Sequence, residues 1–350
     1  MELIIKPTEA CNFKCTFCSS TDIDPKKAKL LDHDYIFKFL KRYPHTRTII
    51  VNGGDPLMVE PSYYWKIIDH LDEHDYPASI SFTTNLWPFV VKPEKWIDLF
   101  RHPRLGICTS FQYGKGRLKG DYTIFTEKDF WLVSNKMLDL VGYRPDFIAV
   151  MTDEDAPDAV RNVELAKEMD VECKLNYAMA SGIQGSTYRL SKIYETYVEI
   201  YDRGLWKWEY NTKQMMRRLK GNATSCPQNR RCDEHIRAFN PGGDYYSCGS
   251  FGDDGDYSIS FDHELNGGFS TPLQDDFNIQ SLKQACYSCP MFEICNGCKK
   301  TVRDMKREGQ AESHCKHMKS LAPRILEING LDPNSVTPYV NEEIDVLSID

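Results

Sequence analysis

The chain has 350 residues, of which 41% are hydrophobic, and a formal net charge of −8 at pH 7. This length and apolar content allow a large core and two domains. No apolar run approaches the roughly 18 residues of a membrane-spanning helix, which excludes a helical integral membrane protein. The negative charge provides no global field that would attract nucleic acid.

Strand-like and helix-like segments alternate over the first 205 residues, which predicts βα units around a parallel sheet. The helical segments carry apolar residues at helical spacing, as in Ile36, Phe39 and Leu40, and we predict Asp34 and Ser62 as caps of the first two helices. Six such units are too few to close an eight-stranded barrel. The predicted strands are Glu2–Lys6, Thr48–Val51, Ala78–Thr83, Leu105–Ser110, Asp146–Met151 and Val171–Asn176.

Three cysteines follow the first predicted strand. Three residues separate Cys11 from Cys15, and two separate Cys15 from Cys18. Three thiolates on one short loop can bind three irons of a 4Fe-4S cluster and leave the fourth iron open to another ligand. For this spacing on its own, a zinc knuckle is the alternative.

Polar segments also end the next three predicted strands. They are Gly53–Pro56, Thr83–Asn85 and Ser110–Gln112. Because the carboxyl ends of parallel strands meet at one rim of a barrel, we expect these segments to converge on the loop of Cys11 to Cys18. Read alone, Gly-Gly-Asp-Pro would be only a turn.

After about residue 205 the composition changes, and helices are predicted at residues 206–220 and 299–318. Between them glycine, aspartate and cysteine dominate until Cys298, and long periodic segments are rare. We expect this region to depend on metal ligation for its fold. Two zinc sites of four cysteines each are the alternative, and the odd total of 13 cysteines argues against a disulfide framework. Cys108 and Cys173 lie in apolar runs and are most simply small buried residues. The C-terminal cysteines are Cys226, Cys232, Cys248, Cys286, Cys289, Cys295, Cys298 and Cys315.

These motifs together resemble the radical S-adenosylmethionine (SAM) enzymes that carry a C-terminal SPASM domain. The resemblance rests on the Cys11–Cys18 spacing, the aromatic Phe17 before the third cysteine, the Gly53–Pro56 segment and the eight later cysteines. The layout is similar to that of the anaerobic sulfatase-maturating enzymes. The implied fold is α/β, a partial (β/α)6 TIM-like barrel with a small cysteine-rich metal-cluster domain. The implied parts are the barrel at 1–205, the SPASM domain at 206–320 and a tail at 321–350.

The resemblance implies three 4Fe-4S clusters and bound SAM. Cys11, Cys15 and Cys18 would hold the SAM-binding cluster. Spacing departs from the family at Cys298, which follows Cys295 after two residues rather than three. The implied auxiliary sets are Cys226, Cys232, Cys248 and Cys298 for one cluster, and Cys286, Cys289, Cys295 and Cys315 for the other. The implied SAM contacts are Phe17, Asn52, Gly53, Gly54, Asp55, Pro56 and Ser110, with Asp55 in place of the family's glutamate.

The implied reaction is reductive cleavage of SAM to a 5'-deoxyadenosyl radical, which abstracts hydrogen from a substrate, with flavodoxin or ferredoxin as electron donor. One expected substrate is a peptide or protein residue that undergoes oxidation, crosslinking or epimerisation. A second is an aminoacylated nucleobase or other small amino-acid-bearing substrate, as in phage DNA hypermodification, so that nucleic acid enters only as a modified substrate. The third reading is a non-catalytic zinc- or cluster-binding protein.

Catalytic residues are less evident. Sulfatase maturases have an aspartate directly after the third SPASM cysteine, whereas here Gly249 follows Cys248. Asp253, Asp254 and Asp256 lie further along this loop, and one of them, with Asp254 as the candidate, could reach the site, although a solvated acidic turn is the favoured interpretation. Candidate hydrogen donors or acceptors are Cys108, Tyr177 and a tyrosine of the Tyr245–Tyr246 pair. We therefore expect no formylglycine production.

The start of the chain supports a prediction of location. Met1 to Lys6 show no basic-then-apolar signal segment, so we expect a reducing cytoplasm and no membrane partner. Only ten residues precede Cys11, so we expect no leader-peptide recognition domain in front of the barrel.

Overall fold

The computed structural model describes residues 1–19, 29–178, 180–183, 190–220, 232–270, 289, 292–295 and 299–334. Within this part, eight strands form one sheet in the order β6-β5-β4-β3-β2-β1-β7-β8. All neighbours are parallel except the last pair. The strands are β1 Glu2–Ile5, β2 Thr48–Val51, β3 Ser79–Thr83, β4 Leu105–Ser110, β5 Asp146–Met151, β6 Cys173–Tyr177, β7 Ile236–Phe239 and β8 Tyr245–Tyr246.

Helices connect the first six strands and then form most of the described C-terminal part. None of the described helices is both long enough and apolar enough to cross a membrane. The helices are α1 His33–Arg42, α2 Pro61–Glu73, α3 Trp87–Val91, α4 Ile97–Phe100, α5 Glu127–Val141, α6 Ala159–Met169, α7 Leu190–Asp202, α8 Tyr210–Leu219, α9 Cys232–His235, α10 Gly249–Asp254, α11 Phe261–Leu265, α12 Phe292–Cys295, α13 Lys299–Arg307 and α14 Ala311–Ile328.

The six predicted strands are present in the predicted order, and their helical connections confirm the α/β fold with a partial barrel. Alternate strand residues face opposite sides of the sheet. On one side, fully buried residues such as Leu3, Ile49 and Phe82 pack in the core with Phe39 and Ile67 of the surrounding helices. This packing holds the strand ends in register, which is what brings the rim segments together.

The sheet continues past the predicted boundary at residue 205. β7 lies parallel to β1, with Ile5 aligned to Phe239, and β8 turns back antiparallel to β7. In the described part of the chain, β1 pairs with β2 and β7 but not with β6. The six-stranded barrel is therefore open between β1 and β6. On the β1 side of this opening, the sheet is extended by the C-terminal strands β7 and β8.

A buried ion pair joins β7 to α11, and a tyrosine of the barrel, Tyr43, binds the same carboxylate. Arg237 of β7 and Glu264 of α11 both have fully buried side chains, and Arg237 Nη2 lies 2.7 Å from Glu264 Oε1. The hydroxyls of Tyr43 and Tyr245 donate to Glu264 Oε2, each at 2.7 Å. Burial by itself raises the pKa of Glu264, but Arg237 and the two tyrosines outweigh it and hold that pKa below its usual value. The carboxylate is therefore ionised at neutral pH.

Candidate active site at the strand ends

The three N-terminal cysteines lie close together on the loop after β1. Burial raises the pKa of the Cys11 thiol, and nearby Asp55, Cys15 and Cys18 raise it further. The Phe13 N–H points to Cys11 Sγ at 3.3 Å, which offers a donor to a thiolate. A metal ion bound among these thiols would displace their protons, because metal ligation requires the thiolate. The donor set fits an iron–sulfur cluster.

The segment after β2 passes unusually close to this loop. Gly54 N–H donates to Thr8 O at 2.9 Å, and Asp55 N–H donates to Ala10 O at 2.8 Å. A Cβ on Gly54 would lie 2.2 Å from Ala10 O, and Gly53 has a φ of +122°. Only glycine fits both positions, so the close approach of the two rim segments is encoded in the sequence.

Asp55 joins the ends of β2 and β3. Its buried carboxylate accepts hydrogen bonds from Leu57 N–H at 2.9 Å, Asn85 N–H at 2.8 Å and the Thr84 hydroxyl at 2.9 Å. Burial raises the pKa of Asp55 to about 6, against the lowering effect of these donors. The side chain is thus engaged by the protein's own groups, and Asp55 anchors the rim.

Asn52 presents an unsatisfied group at the same rim. Its backbone N–H donates to Ile5 O at 3.0 Å, which fixes the residue beside the cluster loop. Its side-chain Oδ1 is buried and has no hydrogen-bond partner among the described residues. Such an atom costs free energy unless something binds it. It is therefore available to a polar ligand at this rim.

Arg117 is a site residue that the sequence did not reveal. It is 5% exposed, and its guanidinium donates to Ser110 Oγ at 2.8 Å and to Gln112 Oε1 at 2.7 and 2.9 Å. The same guanidinium lies 5.2 Å from the ring centroid of Phe17. One buried cation thus connects two predicted SAM contacts, Phe17 and Ser110.

The charge of Arg117 faces the cysteine loop. Burial lowers the pKa of Arg117, while negative charge on Cys15, Cys11 and Cys18 would raise it. Thr16 N–H donates to Gly116 O at 2.9 Å, which holds the Arg117 segment against that loop. A fixed positive charge here favours bound anionic groups, such as an iron–sulfur cluster or a carboxylate.

Ion pairs connect the C-terminal part to the barrel on its open side. Lys6, just after β1, forms a salt bridge with Asp253 of α10. The adjacent Asp254 pairs with Arg303 at 2.6 Å and Lys300 at 2.8 Å, both on α13. The interpretation of these aspartates as a solvated acidic turn is wrong, because their basic partners come from distant segments of the chain. The local sequence around the aspartates does not indicate partners that lie so far away in the chain.

The bridge reaches the end of β6 through two hydroxyls. Ser181 donates to Asp254 Oδ1, and the Tyr177 hydroxyl lies 2.9 Å from Thr301 Oγ1. Burial raises the pKa of Asp254, but Lys300, Ser181 and Arg303 outweigh burial and hold it below its usual value. A carboxylate held ionised in this way is a weak proton acceptor.

A cavity of about 430 Å³ lies next to this bridge. Ser181, Asp254, Arg303 and Arg307 are among its lining residues. The N–H of Ile183, which follows this lining segment, donates to Cys18 O at 3.0 Å. The cavity is therefore adjacent to the cysteine loop.

The other two cysteines of the barrel differ in environment. Cys173 is fully buried in the core, in agreement with its predicted structural role. Cys108 is partly buried on β4, two residues before Ser110 and on the same face. Burial raises the pKa of Cys108 to about 12, so its thiol is protonated.

Three of the C-terminal cysteines lie near the first turns of α14. Cys295 Sγ is 3.3 Å from Nε2 of His314, and the next residue is Cys315. Burial raises the pKa of Cys315, and so does nearby Cys289. These three belong to the same predicted auxiliary set. The fourth member, Cys286, lies outside the described residues.

Of the four cysteines predicted for the other auxiliary cluster, two lie in the described part of the chain. Cys248 is the N-cap residue of α10, the same helix that carries Asp253 and Asp254. Cys232 is the first residue of α9. Cys226 and Cys298 lie outside the described residues.

Comparison with known proteins places these features in context. Residues 5–113 match the family model described as "Radical SAM superfamily". A structure titled Native anSMEcpe with bound AdoMet is similar, with a TM-score of 0.68 and 17% identity over 94% of this chain and 99% of that chain. No curated protein sequence matched the chain.

Some of the similar structures contain peptides. Native anSMEcpe with bound AdoMet and Kp18Cys peptide gives a TM-score of 0.65 and 16% identity over 94% of this chain and 99% of that chain. Streptococcus suis SuiB bound to precursor peptide SuiA gives a TM-score of 0.57 and 15% identity over 96% of this chain and 75% of that chain. At these identities the likeness establishes a shared fold.

Proposed function

We propose that this chain, which belongs to the radical SAM superfamily, abstracts hydrogen from an amino-acid residue of a peptide or protein and thereby starts its oxidation, crosslinking or epimerisation. The observation that carries the proposal is the convergence of three neighbouring thiols, an orphaned amide oxygen and a buried guanidinium at one rim.

Each group has a role in this proposal. Cys11, Cys15 and Cys18 would hold the cluster, which when bound supplies the electron that cleaves SAM. Asn52 Oδ1 would accept a hydrogen bond from the SAM amino group, and Arg117 with Ser110 would bind its carboxylate. Fixed donors and acceptors of this kind orient the ligand before reaction.

Two auxiliary 4Fe-4S clusters complete the proposal. Cys289, Cys295 and Cys315 would ligate one of them with Cys286, and the placement of Cys289 near Cys315 and of Cys295 against the neighbouring His314 supports this grouping. Cys226, Cys232, Cys248 and Cys298 would ligate the other. Clusters that are fully ligated by protein are suited to electron transfer. Flavodoxin or ferredoxin would supply electrons, in the reducing cytoplasm.

The substrate would occupy the cavity beside Cys18. Peptides are bound in several of the similar structures, and this supports a peptide substrate here. The cavity lining has an excess of negative charge, which disfavours a polyanion such as nucleic acid. Its carboxylates are Asp253, Asp254, Asp256, Asp304 and Glu308, against the guanidinium groups of Arg303 and Arg307. Peptide or protein is therefore preferred over an aminoacylated nucleobase.

Anaerobic reconstitution is expected to load about 12 iron atoms per chain, from four in each of three clusters. With SAM and dithionite, the loaded enzyme is expected to release 5'-deoxyadenosine and methionine, quantified by liquid chromatography and mass spectrometry. Tightly bound zinc with negligible iron and no SAM cleavage would contradict the proposal. Candidate peptides added to the same reaction identify the substrate through a product mass change.

A sulfatase-derived peptide containing the target Cys or Ser is expected to yield no formylglycine. Gly249 has no side chain to accept a proton, and Asp254 is held by Lys300 and Arg303. The measurement is peptide mass spectrometry after turnover, with 5'-deoxyadenosine release as the control for an active preparation. Aldehyde at stoichiometric yield would show that another group acts as the base, and Asp254→Asn would test whether it is Asp254.

A further inference from the structure

One histidine lies against a predicted cluster ligand. His314 of α14 is 4% exposed, and its Nε2 lies 3.3 Å from Cys295 Sγ. The Tyr194 hydroxyl donates to the backbone carbonyl of Cys295, and the Tyr194 and His314 rings are 6.3 Å apart. Both the backbone and the sulfur of Cys295 are thus contacted by buried side chains.

The hydrogen-bonding pattern of His314 selects one tautomer. Its Nδ1 is buried and has no hydrogen-bond partner in the described part of the chain. A neutral imidazole has one N–H, and a buried N–H without an acceptor is costly. With the proton on Nε2, the N–H points at Cys295 Sγ, and only a lone pair is left without a partner at Nδ1.

Metal binding by Cys295 would also require His314 to be the donor of this hydrogen bond. A cysteine that ligates iron is a thiolate and has no proton to donate. If Cys295 is a ligand, its sulfur can act only as acceptor toward His314. The contact is then an N–H···S hydrogen bond to a cluster ligand.

We propose that His314 donates this Nε2–H hydrogen bond to Cys295 and raises the reduction potential of the auxiliary cluster that Cys295 ligates. The inference rests on the proposed function for the presence of that cluster. A donor withdraws electron density from the thiolate and favours the reduced cluster, which carries one more negative charge. His314 is in this sense a tuning residue and not a ligand.

The test compares variants in a background where Cys11, Cys15 and Cys18 are alanine, so that only auxiliary clusters give electron paramagnetic resonance signals. His314→Leu removes the donor and keeps an apolar side chain. We expect the reduction equilibrium of one auxiliary cluster to fall about tenfold, which is about 59 mV for a one-electron couple. The other auxiliary cluster and the iron content are expected to stay unchanged.

Two further variants serve as controls. His317→Leu makes the same change one turn along α14, where the ring contacts Glu195 at 3.0 Å. It is expected to leave both potentials unchanged. His314→Gln retains an N–H donor and is expected to restore part of the potential. If His314→Leu loses the cluster, recovery of cluster and potential in His314→Gln supports the donor role, and loss in both overturns it.

Other results would also overturn the inference. These are unchanged potentials in an iron-complete His314→Leu, or a nitrogen hyperfine coupling in the parent protein of the strength of a direct iron ligand. A full-length parent with only about four iron atoms would overturn it together with the auxiliary-cluster part of the proposed function. SAM cleavage by that preparation would still support the radical SAM site.

Discussion

Replacing Cys11, Cys15 and Cys18 together by alanine is expected to abolish 5'-deoxyadenosine formation and to remove about four iron atoms per chain. The three thiols form one neighbouring group, and cleavage of SAM requires the cluster that they would hold. The remaining iron, about eight atoms, is expected to stay bound. Iron analysis and product chromatography on the same reconstituted sample measure both effects.

Cys173→Ala is the matched control for cysteine loss. Cys173 is a buried core residue outside the rim, so its replacement is expected to keep the full iron content and SAM cleavage. Turnover by the triple variant at the parent rate would show that the SAM site lies elsewhere.

Glu264→Ala is expected to lower the free energy of unfolding by about 3–5 kcal/mol, because it leaves the buried Arg237 charge without its partner. Arg237 and Glu264 are both fully buried, and the hydroxyls of Tyr43 and Tyr245 lose the same acceptor. Urea titration of the cluster-loaded enzyme measures the change. Glu168→Ala, an exposed change in α6, is expected to stay within about 0.5 kcal/mol of the parent.

The contribution of Glu264 to the free energy of unfolding is expected to decrease as the pH is lowered. The pKa of Glu264 is lower in the folded state than in the unfolded chain, where glutamate titrates at about 4.3. Its contribution is therefore present above that value and is lost as pH falls through the folded-state pKa. Glu264→Gln keeps the side-chain shape, so its stability difference from the parent is expected to shrink in acid. A stability difference that stays constant as the pH is lowered through this range would show that charge is not the cause.

Strand periodicity is sufficient to locate the barrel, but it does not locate the helix starts. β2, β4 and β5 match their predicted bounds. The predicted caps Asp34 and Ser62 are wrong, since α1 is capped by Asp32, which accepts from Asp34 N–H at 2.9 Å, and Glu60 precedes α2. Where several acidic or hydroxyl residues stand close together, sequence spacing does not decide which one accepts the hydrogen bond.

The residues that sequence reasoning missed depend on distant partners. β7 is a buried strand of only four residues, and one of them is the charged Arg237. A charged residue argues against a buried strand in the sequence, and only the folded structure shows that Glu264 neutralises it. Arg117 stands in a glycine-rich basic turn that resembles an ordinary exposed loop. Its burial follows from contact with Phe17 and Ser110. Tertiary contacts of this kind leave no local periodicity to detect.

The pairing of β7 with β1 has a consequence for how the molecule folds. β1 opens the barrel in sequence, yet one of its two backbone hydrogen-bonding edges is filled by a strand that follows more than 200 residues later. Without β7, that edge would be a template for aggregation. The cysteine-rich part therefore completes the barrel's sheet. If it binds the proposed auxiliary clusters, their assembly would be coupled to protection of an aggregation-prone edge of the nascent chain.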